Sequence, residues 1–366
     1  MSVPSCHAIA PATVLRGEGA LESALPALAA LGRRPLLLGR SAATAPWRRD
    51  LAARLAGHGN AALVESLRWD CCEEDLVRLA ELARAHRCDA VIGLGGGKVL
   101  DAAKLLAQRL ALPCATIPSS AATCAGWTAL ANLYSPHGAF QIDVALARCP
   151  ELLVFDHGLV RQAPARTLAS GIADAMAKWY EASVSSGASE DGLVQQAVQM
   201  ARTLRDQLLL EGQAAMAEPG GAAWERVAEA SGLTAGLIGG LGGARCRTVA
   251  AHAVHNGLTQ LEASHGRLHG EKVGFGVLVQ LRLEEQIGGN QLAAQARRQL
   301  LPFFGALALP RSLPDLGLGG ATLEELQQVC AFACREGSDL HHLPFPVGPA
   351  DLLGALVTTT AERQPA

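Results

Sequence analysis

Four histidines, His252, His255, His265 and His269, fall within 18 residues of a chain that has eleven in all. Neutral imidazoles together with a carboxylate form a donor set for zinc or iron(II). The acid best suited to complete it is Asp174, in Gly171-Ile172-Ala173-Asp174-Ala175-Met176-Ala177-Lys178-Trp179-Tyr180-Glu181-Ala182. A carboxylate in so apolar a helix is costly to bury unless it is paired or binds a cation. Taken singly, each histidine reads equally well as a surface or hydrogen-bonded helix residue. Taken together they are candidates for one divalent metal site, and spacing alone leaves open which of them bind.

A second group of residues has the chemistry of a phosphate cradle. Gly93-Leu94-Gly95-Gly96-Gly97-Lys98-Val99-Leu100-Asp101 follows a strand pattern and opens a helix. Three successive glycines let a diphosphate approach the backbone, and a helix N-terminus offers unpaired N–H groups. The string is neither G-x-G-x-x-G nor a Walker loop, and a tight strand-to-helix turn is the plain alternative. Thr116-Ile117-Pro118-Ser119-Ser120-Ala121-Ala122-Thr123-Cys124 could line a ribose or nicotinamide pocket with small hydroxyl residues, which by itself is weak evidence.

The elements that must carry these groups alternate in the first part of the chain. Helical patterns at 18–31, 47–57, 73–86 and about 98–110 are interleaved with apolar strand patterns at 35–39, 61–64, 89–93 and 114–118. Such alternation predicts a mostly parallel sheet with helices on both faces, which binds ligands at the carboxyl ends of its strands. From about residue 160 the pattern is helical throughout, at 164–186, 190–210, 221–240, 246–260, 270–287, 291–305, 322–336 and 348–362, with no clear strand. The boundary is expected near 156–163. This gives an α/β domain over 1–160 and a helical domain over 161–366, with the last four residues frayed.

Composition narrows the function classes. The 366 residues are 49% hydrophobic but only 4% aromatic, which suits closely packed Ala-, Leu- and Gly-rich helices. Net charge is −3 with no long basic run, which argues against nucleic acid as a partner. No window resembles a membrane span, and the first residues do not read as a signal peptide. The ten cysteines are scattered without a Cys-x-x-Cys pair, as expected of reduced thiols in a cytoplasmic protein.

The strings Gly95-Gly96-Gly97-Lys98-x-x-Asp101-x-x-Lys104, Gly171-x-x-Asp174-Ala175, Ala251-His252-Ala253-x-His255-Asn256-Gly257-Leu258-Thr259 and His269-Gly270-Glu271-Lys272-Val273-x-Phe275-Gly276 resemble the iron-containing alcohol dehydrogenase superfamily, in its glycerol dehydrogenase branch. Ala121-Ala122-Thr123-Cys124-Ala125-x-Trp127-Thr128 and Ala177-Lys178-Trp179-Tyr180-Glu181-Ala182 look most like the hydroxycarboxylate dehydrogenase A group. With matching element order, the resemblance spans nearly the whole chain. It implies a Rossmann-like N-terminal domain and a C-terminal helical bundle, as in dehydroquinate synthase-like folds, with a metal in the cleft between them. It carries the metal ligands over to Asp174, His252 and His269, with His255 near the ligands as an orienting residue or part of a proton path. It puts the diphosphate of NAD(P)(H) on Gly95, Gly96, Gly97 and Lys98. Asp101, Thr116 and Ser119 match further cofactor contacts, and Thr128, Leu130 and Tyr134 match contacts around the nicotinamide.

Departures from the family pattern sharpen the expectation. Iron-dependent relatives carry a fourth ligand histidine one turn after the aspartate, where this chain has Lys178, and a protonated lysine cannot ligate. A three-ligand site suits catalytic Zn²⁺ better than Fe²⁺. Glycerol dehydrogenases have an aspartate in the loop that contacts polyol hydroxyls, whereas this chain has no Asp or Glu between Lys104 and Asp143. Losing that acid and gaining Lys178 favours a 2-hydroxy acid/2-oxo acid pair, with glycerol or another diol as the alternative. Arg40 and Ser41 stand where NAD-preferring relatives have an acid, and they would suit the 2′-phosphate of NADP without excluding NAD. The resemblance also implies a homo-oligomer. A dehydroquinate synthase-like lyase and a non-catalytic nucleotide-binding protein are the remaining readings. The first should have a different histidine spacing and a more basic site, and the second should have lost ligands.

Overall fold

In the computed structural model of the protein, residues 6–361 are described. The frayed end expected at 363–366 lies outside them, as do residues 1–5 of the opening stretch that does not read as a signal peptide. The chain divides into two compact units. One comprises residues up to Pro164 together with Gly232–Gly240, and the other comprises Ala165–Ser231 and the chain from Leu241 onward. The stretch Gly232–Gly240 thus groups with the sheet-bearing unit.

The first unit is built on a parallel sheet of six strands. In chain order the strands are β1 (Thr13–Gly17), β2 (Pro35–Gly39), β3 (Leu63–Ser66), β4 (Ala90–Gly95), β5 (Cys114–Pro118), β6 (Leu130–Tyr134), β7 (Phe140–Ala145) and β8 (Leu152–Asp156). The sheet order is β1-β8-β5-β4-β2-β3, and β6 and β7 pair separately as an antiparallel hairpin. Strands β2, β4, β5 and β8 are buried along their whole length. That explains their continuous apolar runs, since a parallel sheet is covered on both faces.

Alternate residues face opposite layers. Leu36, Leu38, Val91 and Cys114 pack with the helices Glu73–Ala85 and Gly97–Leu110. Leu37, Ile92, Ala115 and Ile117 pack with the helices Ala20–Ala30 and Ala45–Gly57. Four strands, β1, β6, β7 and β8, were not expected from the sequence. They are five or six residues long, and the hairpin strand β7 is largely exposed, so its apolar periodicity is faint.

The second unit is helical. The helices Ala250–Leu258, His269–Gln286, Leu323–Ala333 and Pro349–Val357 surround one apolar core. The expected helix at 221–240 is interrupted. It runs as Ala222–Glu229, a π-turn at Ala230–Thr234, and Ala235–Gly242. Small residues explain why part of this stretch joins the first unit. A Cβ on Gly232 would lie 2.5 Å from the Phe155 ring, one on Gly236 would lie 2.6 Å from Trp127, and one on Gly240 would lie 2.3 Å from the Ile9 carbonyl.

Glycines also set two close crossings in the helical unit. A Cβ on Gly270 would fall 1.8 Å from the Ser170 carbonyl oxygen, and one on Gly276 would fall 2.3 Å from that of Ala251. The helix His269–Gln286 thus lies directly against Ala165–Ser186 on one side and Ala250–Leu258 on the other. Gly270→Ala should cost about 1–3 kcal/mol in urea unfolding, because backbone cannot yield as a side chain can. Gly96→Ala, with φ −80° and open space at its Cβ, is the control and should change stability by less than about 0.5 kcal/mol. A neutral Gly270→Ala would mean that the crossing is looser than described.

Candidate active site

Three elements of the helical unit bring one acid and three histidines together. Asp174 sits midway along the helix Ala165–Ser186, His252 and His255 on Ala250–Leu258, and His269 is the first residue of His269–Gln286. Asp174 Oδ1 is 3.4 Å from His252 Nε2 and 3.4 Å from His269 Nε2. Asp174, His252 and His269 each offer a ligand atom, and these atoms all lie within 4.8 Å of one another. Asp174 Oδ1 is buried without a hydrogen-bond partner. An enclosed carboxylate oxygen is rarely left so unless something else is meant to bind it.

The second nitrogen of each facing imidazole is engaged elsewhere. His252 Nδ1 lies 2.7 Å from Glu181 Oε2, and a carboxylate only accepts, so Nδ1 carries the proton. His269 Nδ1 is 2.9 Å from His255 Nε2, while His255 Nδ1 is 2.9 Å from the amide oxygen of Asn256. The amide oxygen fixes the proton on His255 Nδ1, which makes His255 Nε2 the acceptor and His269 Nδ1 the donor. With both rings neutral, the two Nε2 atoms that face Asp174 present lone pairs. His265, the fourth histidine of the run, takes no part. Its Nε2 is 2.8 Å from the Thr259 carbonyl oxygen, in the loop that leads to His269.

The electrostatics follow from burial and these partners. Burial alone would raise the Asp174 carboxyl, but His269, His252 and Lys178 outweigh it and hold the group well below the ordinary carboxylate range. Burial and Lys178 oppose protonation of His252, yet Glu181 and Asp174 push it up to about 9. His255 is held well below the usual imidazole range by burial, His269 and Lys272, in keeping with its acceptor role. Burial lowers His269 too, against the pull of Asp174.

Lys178 is buried one turn from Asp174, and its Nζ lies 3.3 Å from the Arg247 carbonyl oxygen. Glu271 organises the start of the third element. It accepts from the Leu268 N–H at 2.8 Å and pairs with Arg166 through two hydrogen bonds, at 2.5 and 2.6 Å.

In the first unit the strand order reverses between β2 and β4. The chain leaves β2 for a helix on one face of the sheet and leaves β4 for a helix on the other, which opens a crevice at their carboxyl ends. Gly95 ends β4, Gly96 is extended, and Gly97 and Lys98 open the helix Gly97–Leu110. A Cβ on Gly95 would meet Val99 at 2.9 Å and one on Gly97 would meet Thr123 Oγ1 at 2.9 Å, so the turn is too tight there for side chains. Arg40 follows β2 on the other side of the crevice. Asp70, which the sequence reading did not single out, forms ion pairs with both Arg40 and Lys98. Lys98 Nζ also lies 4.8 Å from the centroid of the Tyr134 ring. Ser41 caps the next short helix by accepting from the Ala43 N–H.

The other expected cofactor residues separate into two sets. Ser119 lies just past β5, half-buried, with its N–H on the Gly95 carbonyl oxygen at 2.9 Å. Thr116 is fully enclosed and donates to the Gly126 carbonyl at 2.7 Å. Asp101 pairs with the buried Lys104, whose ammonium donates to the carbonyls of Thr128 and Leu130. Asp101 also accepts from the Asn132 N–H at 3.3 Å. The present partners of Thr116, Asp101, Thr128 and Leu130 are thus the protein's own, and they anchor the hairpin β6–β7 beside the glycine turn.

No disulfide joins the cysteines of the described residues. Among the described residues, no helix is long and apolar enough to cross a membrane.

A family model described as iron-containing alcohol dehydrogenase matches residues 11–157. An uncharacterised oxidoreductase of Synechocystis sp. is 53% identical over 98% of this chain and 92% of its own length. A glycerol dehydrogenase of Pseudomonas putida is 36% identical, covering 83% of each chain. Hydroxycarboxylate dehydrogenase A of Escherichia coli is 35% identical, covering 79% of each. Among solved structures, a probable glycerol dehydrogenase from Sinorhizobium meliloti aligns with a TM-score of 0.84 at 30% identity, over 96% of this chain and 97% of that one. Identity at this level over most of both partners makes the chain a member of the iron-containing alcohol dehydrogenase family, an oxidoreductase of the alcohol dehydrogenase type.

Proposed function

We propose that this protein is a metal-dependent, nicotinamide-linked dehydrogenase that interconverts a small 2-hydroxy acid and its 2-oxo acid. The observation that carries the acidic substrate is Lys178. It is a buried cation one turn from Asp174, close enough for its charge to act on Asp174 and His252. An ammonium has three donors, and one long bond to the Arg247 carbonyl leaves capacity for a substrate carboxylate.

The donor set fits a divalent cation. Asp174 Oδ1 is orphaned, and two imidazole Nε2 atoms face it. Asp174, His252 and His269 would hold the ion, and three protein ligands suit a catalytic zinc site. When bound, the cation supplies Lewis-acid polarisation of a carbonyl and the nicotinamide carries the hydride. His255 has both ring nitrogens occupied, which supports orienting His269 as its role over delivering a proton. Lys178 would fix the far end of the substrate so that only one carbonyl geometry is productive.

The backbone of Gly95, Gly96 and Gly97 with Lys98 would receive the cofactor diphosphate, with Ser119 and Tyr134 beside it. Arg40 would read the adenosine ribose, and its partner Asp70 would set the choice between NAD and NADP. A glycerol or diol dehydrogenase is the second reading, favoured by relatives of that name. Purification as a homo-oligomer is expected on either reading.

Substrate, metal and cofactor choice are each open to measurement. In a panel of 2-oxo acids and dihydroxyacetone with NADH and NADPH, the 2-oxo acids should be the better substrates. Lys178→Ala should then raise their KM about 10–100-fold, the loss of one charged hydrogen bond, and an unchanged KM would remove the carboxylate clamp. Dialysis against a chelator should abolish turnover and added Zn²⁺ should restore it. His269→Ala and Asp174→Ala should lose both metal content and activity, and a metal-free, fully active His269→Ala enzyme would sink the proposal. Asp70→Asn frees Arg40 towards the ribose and should raise the NADPH/NADH ratio of kcat/KM about tenfold, or ~1.4 kcal/mol. A ratio that stays put would show that Asp70 does not govern the choice.

A further inference from the structure

We infer that Glu181 is the positioning residue that sets His252 in its ligating tautomer, and that it does so while capping the helix on which His252 stands. The inference rests on the metal reading above and extends it to a residue outside the ligand set.

Glu181 is fully enclosed, and both of its carboxylate oxygens are engaged with one segment. Oε1 accepts from the Val249 N–H at 2.7 Å and from the His252 N–H at 3.0 Å. Oε2 accepts from His252 Nδ1–H at 2.7 Å. The helix Ala250–Leu258 has no side-chain cap from its own N-cap residue, Val249. A carboxylate from a different helix supplies that function, and its negative charge suits a helix N-terminus.

The same group decides where the proton of His252 sits. With Nδ1–H committed to Glu181, Nε2 is the nitrogen that carries the lone pair once the ring is neutral, and it lies 3.4 Å from Asp174 Oδ1. Asp174 and Glu181 lie two turns apart on the helix Ala165–Ser186. One rigid element therefore contributes a ligand and also orients a second ligand on another helix. Partners that hold the far nitrogen of a metal-binding histidine typically account for 10–100-fold in metal affinity.

A buried acid that merely caps a helix would make the first two hydrogen bonds and leave the third incidental. Glu181→Gln separates the cases because it matches the shape of glutamate. Its amide oxygen can keep accepting from the Val249 and His252 N–H groups, but its NH₂ then points at His252 Nδ1. That nitrogen must become the acceptor, and the ring proton moves to Nε2. The reverse amide orientation sets NH₂ against two N–H donors and is worse.

The test uses chelator-stripped full-length protein titrated with Co²⁺, followed by its visible d–d absorption. Wild type should bind one Co²⁺ with a defined band. Glu181→Gln should keep the far-UV circular dichroism of the stripped wild type. It should bind Co²⁺ about 10–100-fold more weakly, with the band shifted or reduced. Wild-type affinity and an unchanged spectrum in Glu181→Gln would overturn the inference and leave Glu181 a helix cap alone. No Co²⁺ binding by wild type would instead refute the metal reading on which it stands. If Glu181→Gln does not fold, Glu181→Asp takes its place. It keeps the charge but withdraws the carboxylate by one methylene, and it is judged by the same two outcomes.

Discussion

A carboxylate oxygen enclosed by protein, with no hydrogen bond of its own and two imidazole nitrogens 3.4 Å away, is the constraint around which the helical unit is arranged. Enclosing such a group is unfavourable unless cationic or polarisable partners converge on it. Here they do so from three helices. The supporting residues are spent on aim. Glu181 turns His252, the pair His255 and Asn256 turns His269, and Arg166 with Glu271 secures the start of the helix that His269 opens. None of these supporting residues offers an atom to the central group; Glu181 and the pair His255 and Asn256 set which imidazole nitrogen points there, and Arg166 with Glu271 holds the backbone from which His269 projects.

Backbone packing sets the distances. Gly270 and Gly276 allow the helix that starts at His269 to press against the carbonyls of Ser170 and Ala251, on the two helices that carry Asp174 and His252. One of these glycines directly follows His269, and the other meets the carbonyl of the residue that precedes His252. The first unit uses the same device at a different scale. Gly95 and Gly97 admit no Cβ, and the reversal of strand order opens the sheet beside them. Lys104 and Asp101 then pin the hairpin β6–β7 next to that turn, which fixes the wall of the crevice.

Much of this was legible in the residues. The long amphipathic and apolar segments declared their type because burial imposes period 3.6 on a helix and continuous apolarity on a covered parallel strand. Strands β2 and β5 appear at the expected residues, and most helices lie within a few residues of their patterns. Strands β1, β6, β7 and β8 did not stand out. Five residues such as Thr13–Gly17 carry too little periodicity, and the exposed face of β7 carries almost none. The break at Ala230–Thr234 was also hidden, and the residues that this stretch packs against, Phe155 and Trp127, lie far away in the chain.

The site divides along the same line. Residue type and family pattern together named Asp174, His252, His269 and the glycine turn, because those functions demand particular side chains or none at all. Glu181 stood in plain view two turns beyond Asp174 in an apolar helix, where its spacing and the cost of its burial were the available signal. Its meaning depends on Val249 and His252, some 70 residues on, and only the folded chain brings them to it. Asp70 is the same kind of case, since its pairing with Arg40 and Lys98 joins the ends of separate strands. Sequence by itself determined which donors and cations the protein possesses. Which nitrogen bears a proton, which cation is already neutralised and how close two helices run are properties of pairs distant in the chain, and the tertiary structure alone decided them.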